Sequence, residues 1–297
     1  MGHVHTDSVV VSVVIATYGR EQVLLDTIGH LLPQVQDQGE IVVVDQTITH
    51  ESETEAQLRR WDDARAIRWI RRSPPSITAA MNAGLLAAHG DVVIYVDDDV
   101  IPDPGFIDAH LAAHQQHSKC VVAGRVLQPW HSSGDVPLDG LAGQEAGPTD
   151  EFIGCNFSVA RELALAIGGF DERFVKVAYR YEAEFALRAA RAGYRTEFWP
   201  QASLRHLRLS AGGTRSYGDH LRTFLPAHSV GEYYFLIGSR PCGWAGLVLR
   251  RLLRSPMTRH HLRRPWWILP TLISEVSGLA WALSLAASGK RLVGAGA

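Results

Sequence analysis

Short apolar runs alternate with helix-like segments through the first third of this chain. The runs cover residues 9–16, 40–45, 67–70 and 92–96 and are rich in β-branched residues, which is typical of buried strands. Residues 21–32 show the apolar spacing of an amphipathic helix. This alternation predicts an α/β fold with a mostly parallel sheet flanked by helices, in which ligands bind at the carboxyl ends of the strands.

The same pattern continues to about residue 206. The expected elements are strands over residues 121–127, 194–199 and 203–206 and helices over residues 51–61, 76–89, 104–116, 161–167 and 181–192. Ser76 is suited to cap the helix that begins there, and Pro33 is expected to end the first helix. Residues 128–150 are rich in Gly, Pro and Asp and predict a long surface loop.

Three consecutive carboxylates, Asp97, Asp98 and Asp99, follow the fourth apolar run, where the strand leaves the sheet. Two carboxylates about 4 Å apart repel each other by roughly 4 kcal/mol at an effective dielectric of about 20, so the cluster needs a compensating partner. In an extended chain Asp97 and Asp99 point to the same side and could share a hard divalent cation, Mg²⁺ or Mn²⁺. A solvated acidic turn is the alternative. Thr17 and Asp45 also stand at strand ends, which favours an ion site.

The composition is that of a globular protein, because 46% of the 297 residues are hydrophobic and 20% are charged. The three cysteines follow no metal-ligand spacing, so reduced thiols and a cytoplasmic location are expected. The apolar run at residues 9–16 is too short for a signal or spanning segment, and no basic region precedes it.

The charge is divided between two parts of the chain. Residues 1–200 contain 16 Lys and Arg against 28 Asp and Glu, whereas residues 201–297 contain 13 against 3. This asymmetry indicates that the last third faces something anionic, either phosphate groups or a membrane surface. Nucleic acid is disfavoured, because the arginines are not interleaved along a recognition element and the first part is acidic.

Seven short motifs follow one another in an informative order. They are Val14-Ile-Ala-Thr-Tyr-Gly-Arg20, Val43-Val-Asp45, Met81-Asn-Ala-Gly84, Asp97-Asp-Asp99, Gly154-Cys-Asn156, Gly168-Gly-Phe-Asp-Glu172 and Glu182-Ala-Glu184. Together they resemble the motifs of the family 2 inverting glycosyltransferases, which have a GT-A (Rossmann-like) fold. The resemblance covers roughly residues 9–206, and its specificity lies in the ordered set, since each motif alone is weak.

The resemblance implies a site for a nucleoside diphosphate sugar. Thr17, Tyr18 and Arg20 are expected to line the nucleotide pocket, and Asp45 to accept hydrogen bonds from the base. A cap or turn role for Asp45 is the alternative. The other residues expected to contact the nucleotide are Asn82, Asp97, Asp98 and Arg215. Arg215 belongs to a flexible segment at residues 210–215 that could close over the diphosphate, although a simple turn is the alternative.

The resemblance also implies a metal site. Asp97 and Asp99 match the family's Asp-x-Asp motif, which holds Mn²⁺ or Mg²⁺, and Asp99 is the expected direct ligand. His206 matches a histidine that completes the metal site in some relatives; an ordinary polar role is the alternative. The ion would stabilise the charge of the departing nucleoside diphosphate.

Two acids are candidates for the acceptor side. By resemblance, Glu182 is the base that deprotonates the acceptor hydroxyl, and Asp171 orients the acceptor. The chain departs from the family pattern there, because Tyr181 replaces the usual acid and the base is Glu instead of Asp. Alternatively, Glu182 stabilises the start of its helix, and Asp171 follows a Gly-Gly helix stop. For Glu184 an ion pair with Arg188 is the preferred interpretation.

Residues 216–297 differ in character from the catalytic domain expected over residues 1–215. The apolar segment at residues 265–287 contains proline, glutamate and serines, which disfavour a simple spanning helix. Tryptophans beside arginines suit the surface of an anionic membrane. Amphipathic helices packed on the domain or in a homodimer are the alternative. The arginines that precede the segment are Arg250, Arg251, Arg254, Arg259, Arg263 and Arg264.

The sequence therefore predicts a metal-dependent inverting glycosyltransferase that moves a sugar, with UDP-sugars favoured, to the hydroxyl of a glycan or lipid-linked acceptor. We expect a location in the cytoplasm or peripherally on the inner membrane face, and a role in cell-surface polysaccharide or glycolipid synthesis. One alternative is a sugar nucleotidyltransferase, which usually has a Gly-rich first loop that residues 17–20 lack. The other is an inactive transferase-like membrane scaffold.

Overall fold

A mixed sheet with helices on both faces forms the body of the protein, which the computed structural model describes for residues 11–35, 38–131, 134, 136–209 and 211–294. The first two residues of the predicted strand at 9–16 lie outside these ranges. The strands are β1 Val11–Thr17, β2 Gly39–Asp45, β3 Arg68–Arg71, β4 Val92–Val96, β5 Val100–Pro102, β6 Cys120–Leu127, β7 Gly147–Thr149, β8 Asn156–Ala160 and β9 Arg195–His206. The helices are α1 Gln22–Val35, α2 Ser52–Asp63, α3 Ile77–Ala87, α4 Phe106–Gln116, α5 Arg161–Ala166, α6 Tyr181–Arg191, α7 Val230–Ser239, α8 Trp244–Arg254, α9 Arg259–Arg263 and α10 Ile268–Ala287.

The strand order places the ends of β1 and β4 side by side. The order is β3-β2-β1-β4-β8-β6-β9-β5, and β7 pairs with β9. The strands β1 to β4 pair in parallel, whereas β8 runs antiparallel to both β4 and β6. Because β1 and β4 are parallel neighbours, Thr17 and Asp97 come together at one edge of the sheet. The predicted α/β class is therefore confirmed, and Thr17 and Asp97 lie at strand ends as the sequence predicts.

The strand β8 was not predicted, because Asn156 and Ser158 interrupt its apolar pattern. Both side chains are fully buried, and His110 of α4 supplies their partners. The imidazole Nδ1 lies 2.8 Å from the Ser158 hydroxyl, and Nε2 lies 3.0 Å from Asn156 Oδ1. Burial lowers the pKa of His110 to about 3, so the imidazole stays neutral in this network. The polar residues thus belong to a satisfied core and not to a loop.

Three predicted boundaries differ from the structure. The strands expected at residues 194–199 and 203–206 form the single strand β9, whose pairing with β6 shifts register between Gly124 and Arg125. The expected loop at residues 128–150 contains the short strand β7. Helix α1 continues through Pro33, since Gly29, whose carbonyl loses its helical partner, is exposed to water.

Alternate residues of the central strands face two apolar layers, one on each side of the sheet. Val13 and Ile15 of β1 pack with α1, α2 and α4. Val14 of β1 and Tyr95 of β4 pack with α3, α6, α7 and α10. On this second side the ring of Tyr95 stacks on Phe157 at a centroid distance of 4.8 Å. The site described below lies above this aromatic layer.

The C-terminal helices share the core of the sheet. Tyr233 and Tyr234 of α7 and Ala282 of α10 are buried in the same apolar layer as Tyr95. The expected boundary near residue 215 stays a prediction, but helices beyond it complete the core. The predicted ion pair in α6 is also present, because Arg188 Nε donates to Glu184 Oε1 at 2.8 Å.

Candidate active site

A cavity of about 330 Å³ opens at the carboxyl ends of β1 and β4. Its wall comes from three strand ends, the start of α6 and the chain that follows β9, so folding brings together residues that are distant in sequence. The predicted site residues that line it are Thr17, Tyr18, Arg20, Asp97, Asp98, Asp99, Glu182, His206 and Arg215.

Asp97, Asp99 and His206 form a cluster whose ligand atoms all lie within 4.8 Å of one another. His206 Nε2 is 3.2 Å from Asp99 Oδ1 and 3.8 Å from Asp97 Oδ2. The antiparallel pairing of β5 with β9 sets Val100 opposite His206 and so brings the imidazole to the acids. Two carboxylates and an imidazole that face an open cavity suit Mn²⁺ or Mg²⁺, so these residues fit the predicted metal site.

Arg20 is paired with the two acids that lie deepest. Its Nε donates to Asp98 Oδ1 at 3.0 Å, and a terminal nitrogen donates to Asp99 Oδ2 at 3.2 Å. Burial raises the pKa of Asp98 to about 7, although the charge of Arg20 acts against this. At Asp99 burial also acts to raise the pKa, but the His206 hydrogen bond and the Arg20 charge hold it below its ordinary value. Arg20 thus offsets the repulsion within the acid cluster.

Residues 211–217, called here the covering segment, lie across the first loop. The Gly213 N–H donates to the Tyr18 carbonyl at 2.8 Å, and the Arg20 guanidinium donates to the Ala211 carbonyl. Residue 210 of the predicted segment lies outside the described residues. A short 3₁₀ helix, Gly213–Tyr217, then presents Arg215 to the cavity. The predicted closure over a diphosphate stays a prediction, but the segment stands where closure would require it.

Glu182 lies in the first turn of α6 and faces the same cavity. Burial raises the pKa of Glu182 to about 7, while hydrogen bonds involving the Gly154 backbone and the Tyr181 side chain act to lower it. A carboxylate that titrates near neutral pH is suited to take a proton from an acceptor hydroxyl. Its position in the first turn also fits a helix-stabilising role, as the sequence allowed.

The chain leading to Glu182 has an unusual backbone. Lys176, Ala178 and Arg180 have φ values of 64°, 55° and 76°. These values lie in the left-handed region, which residues other than glycine rarely adopt. We call residues 175–180 the strained segment. Such strain is concentrated at functional sites and persists only where the surroundings hold it. The strained segment leads directly into α6 and thereby sets the place of Glu182.

A family model supports this interpretation of the site. The model of glycosyl transferase family 2 matches residues 12–170, which is more than half of the chain. The chain belongs to glycosyl transferase family 2. The matched range contains Thr17, Arg20 and the three acids, so the family and the enzyme class expected from the motifs are confirmed.

Two curated relatives are each 26% identical to this family 2 chain. The O-antigen biosynthesis protein RfbC of Myxococcus xanthus matches over 220 residues, which are 66% of this chain and 17% of that protein. The uncharacterized protein y4gI of Sinorhizobium fredii (strain NBRC 101917 / NGR234) matches over 225 residues, 66% of this chain and 24% of that protein. The chain thus spans about a fifth of the length of these relatives.

Solved structures share the fold at low sequence identity. TarS residues 1–349 of S. aureus, in complex with UDP-GlcNAc, has a TM-score of 0.57 and 15% identity, covering 95% of this chain and 74% of that chain. The mannosyltransferase PcManGT from Pyrobaculum calidifontis, in complex with GDP-Man and Mn²⁺, has a TM-score of 0.54 and 19% identity. The similarity covers 95% of this chain and 76% of that chain. GalNAc-T7, with UDP, GalNAc and Mn²⁺, has a TM-score of 0.55 and 14% identity, and the similarity covers 68% of this chain and 44% of that chain. These similarities confirm the predicted GT-A fold.

The structure does not bring Asp45 to the cavity. Its carboxylate is fully buried and accepts from the Thr47 N–H at 2.8 Å and from Trp69 Nε1 at 3.0 Å, while His50 Nε2 lies 2.7 Å away. Gln46, the next residue, lines the cavity instead. The arrangement is that of the turn-stabilising alternative, and the predicted contact with a base stays a prediction.

Asn82 and Asp171 also lie away from the cavity lining. Asn82 accepts from the Phe170 N–H at 2.7 Å and donates to the Phe170 carbonyl at 2.8 Å. Asp171 is buried and accepts from the Tyr234 hydroxyl at 2.7 Å and from the Arg291 N–H at 2.9 Å. Both side chains therefore hold chain segments together, and the predicted contacts of Asn82 with the nucleotide and of Asp171 with the acceptor stay predictions.

Two cationic residues of the cavity were missed. The Lys176 ammonium lies 5.8 Å from the Tyr217 ring centroid, and the Arg208 guanidinium lies 4.8 Å from that of Trp130. Arg208 follows the predicted metal ligand His206 by two residues. This short spacing could have predicted that Arg208 lies near the metal cluster. Nothing local marked Lys176, because its position depends on the left-handed backbone of the strained segment.

Proposed function

We propose that this protein is a metal-dependent inverting glycosyltransferase that uses a nucleoside diphosphate sugar. The observation that carries the proposal is one cavity holding both a metal-ligand cluster, at Asp97, Asp99 and His206, and a base candidate, Glu182. The donor class is supported by the neighbours, since GalNAc-T7 was solved with UDP, GalNAc and Mn²⁺ and PcManGT with GDP-Man and Mn²⁺. We favour a UDP-sugar, as found with TarS.

Two sets of cavity residues would bind the donor, one through a metal ion and the other through the phosphate oxygens. Asp97, Asp99 and His206 would hold Mn²⁺ or Mg²⁺, and the bound ion would offset the charge that develops on the departing diphosphate. Arg215 and the missed cations Lys176 and Arg208 would bind the phosphate oxygens, which cationic side chains recognise by charge-assisted hydrogen bonds.

Glu182 would act on the acceptor. As the acceptor oxygen bonds to the anomeric carbon, the bond from that carbon to the diphosphate oxygen breaks on the opposite face, and the hydroxyl proton passes to Glu182. Among the described residues lining the cavity, the other carboxylates belong to the acid cluster. Since a single carboxylate remains for the acceptor side, a single displacement with inversion is favoured over a double displacement.

The acceptor and the biological role are proposed from the name of one relative. The relative from Myxococcus xanthus is named for O-antigen biosynthesis. We therefore favour a glycan or lipid-linked acceptor in cell-surface polysaccharide or glycolipid synthesis. The family match disfavours the nucleotidyltransferase alternative, and the assembled cavity disfavours an inactive scaffold.

The proposal is tested by donor binding and turnover with a panel of UDP- and GDP-sugars, with Mn²⁺, Mg²⁺ or EDTA. Asp99→Asn is expected to abolish metal-dependent donor binding, and Glu182→Gln to keep binding but lower turnover at least about 100-fold. Asp108→Asn is a matched control, because Asp108 is exposed on α4 and outside the cavity. Full activity of Asp99→Asn, or pyrophosphate release from a nucleoside triphosphate, would refute the proposal.

A further inference from the structure

Large apolar side chains are exposed along α8, α9 and α10, outside the proposed active site. Leu249, Leu253, Met257, Leu262, Trp266 and Leu269 are each more than half exposed to solvent. We call this surface the docking face. Six large apolar side chains exposed within residues 249–269 exceed the scattered exposure that is usual on a soluble protein, and such clusters mark interaction sites.

The helix α10 has two different sides. Ile273, Val276 and Leu283 continue the exposed side from Leu269 at spacings of three, four or seven residues, which keeps them on one stripe. The opposite side is buried, and there Glu275 accepts from the Tyr233 hydroxyl at 2.6 Å.

The segment Pro265–Ala287 is long and apolar enough to cross a membrane by length and composition, but 33% of its most apolar stretch of 18 residues is buried inside the protein. A crossing α10 would have to give up the bond between Glu275 and Tyr233, as well as the bond that Glu275 accepts from Arg251 Nε at 2.9 Å. An unpaired carboxylate within a bilayer is costly. The helix therefore suits a position along a membrane surface, with one side on the protein and the other on lipid.

The docking face is strongly basic. Arg250 and Arg254 lie next to Leu249 and Leu253 on α8, and they have no acidic partner among the described residues. Beyond residue 232 the sequence contains a single acid, Glu275, which is buried and paired. A cleft between α7 and α8 is lined by four arginines, Arg250 and Arg254 among them, and by one acid, Glu232, so its net charge is positive. Its charge complements an anionic headgroup.

A second copy of the chain fits this surface less well than a membrane. A two-fold contact places the same patch of both copies together, so the unpaired arginines would face each other. In a membrane interface, leucine and tryptophan side chains enter the acyl boundary while the arginines reach the headgroups. We propose that the docking face seats the protein in the plane of an anionic phospholipid bilayer.

Cosedimentation with vesicles tests the proposal on the intact chain of 297 residues. Vesicles of phosphatidylcholine mixed with phosphatidylglycerol should bind it at low salt, and vesicles of phosphatidylcholine alone should bind it at least about tenfold more weakly. Arg250→Glu with Arg254→Glu, and separately Leu249→Glu with Leu253→Glu, should each weaken binding at least about tenfold. All four residues are exposed, and unchanged circular dichroism checks that the variants fold.

Matched controls use exposed residues elsewhere. Arg59→Glu with Arg195→Glu makes the same charge change at side chains that are 64% and 74% exposed. Ile48→Glu with Leu86→Glu replaces two apolar residues that are 78% and 56% exposed. Equal loss of binding in these controls would overturn the proposal. So would binding that withstands high-salt and carbonate washes, or a dimer without vesicles that Leu249→Glu with Leu253→Glu dissociates.

Discussion

At the scale of single residues, opposing effects set the protonation of Glu182. Burial raises its pKa, and the hydrogen bond with Tyr181 acts to lower it. Burial also holds the pKa of Tyr181 well above its ordinary value, so this hydroxyl stays protonated and can donate. A second acid at this position, as in the family pattern, would instead repel the charge of Glu182. Tyrosine in place of the usual acid at residue 181 therefore favours the ionised form of Glu182, which is the form that the proposed role as a base requires.

We predict that turnover rises with pH and levels off above about 7, because the base must be deprotonated and its pKa is about 7. Tyr181→Phe removes an effect that lowers this pKa, so the acidic limb of the profile should move to higher pH. The pH dependence of kcat/KM in the wild type and the variant measures both. A wild-type profile that is flat from pH 5 to 9 in buffered assays, about two units on either side of neutral, would contradict the assignment.

Asn82 is predicted to act on stability and not on donor binding. Its side chain pairs both the N–H and the carbonyl of Phe170, which is fully buried. Asn82→Ala would leave these groups unpaired and should lower the free energy of unfolding by about 2 to 4 kcal/mol. Urea denaturation measures this change, and the KM for the donor should stay within about twofold. A raised KM with unchanged stability would instead support the predicted nucleotide contact.

At the scale of elements, the covering segment depends on a close backbone approach. Gly212 has φ 77° and ψ 176°, and a Cβ there would lie 2.5 Å from the Gly19 carbonyl oxygen. Gly218 has a similar backbone, with φ 76° and ψ −165°, but a Cβ there meets nothing within 4 Å. A side chain at either glycine would therefore cause the same backbone strain. Only at Gly212 would it also collide with the first loop.

We predict that Gly212→Ala raises the KM for the nucleotide sugar several-fold more than Gly218→Ala does. The added methyl would push the covering segment away from Tyr18 and Arg20, which line the cavity. Steady-state kinetics with varied donor measure the difference, and thermal unfolding checks that both variants fold. Equal effects of the two substitutions would show that backbone strain alone, and not the contact, matters.

At the scale of the whole molecule, the C-terminal helix α7 packs against the chain that leads into α6 and the candidate active site. Glu232 of α7 accepts from Arg180 at 2.8 Å, and Tyr234 of the same helix donates to Asp171. Gly231 packs so closely that a Cβ would collide with the backbone of Tyr179. These contacts hold the end of the strained segment that precedes α6, and they hold Asp171, which lies four residues before the other end of the segment. The positive φ angles of the segment need such support. The last third of the chain thus takes part in placing Glu182.

We predict that Gly231→Ala lowers kcat by about 10- to 100-fold, because a small displacement of a reacting group is costly. The matched control is Gly238→Ala in the same helix, where a Cβ meets nothing within 4 Å. There the better helix propensity of Ala should stabilise the protein by about 0.5 to 1 kcal/mol without loss of kcat. If the two variants have equal kcat, the C-terminal helices do not position the site.

Periodicity and strand-end chemistry made much of this protein predictable. The alternating apolar runs determine β1 to β4 and the helices between them, because burial of a regular face is a local property of the sequence. The acids after β4 mark the site for the same reason, since a strand that ends in carboxylates carries its chemistry to a known edge of a parallel sheet. The ordered set of seven motifs was sufficient to predict the family of the protein.

Tertiary structure alone decided which way several of the polar residues face. Asn82 meets Phe170 across 88 residues of sequence, and Asp171 meets Tyr234 across 63, so no local pattern could reveal that both are bonded inside the protein. His206 reaches Asp99 only because β9 returns beside β5. A side chain's partners depend on register and packing between distant segments, whereas periodicity reports only whether a position is buried.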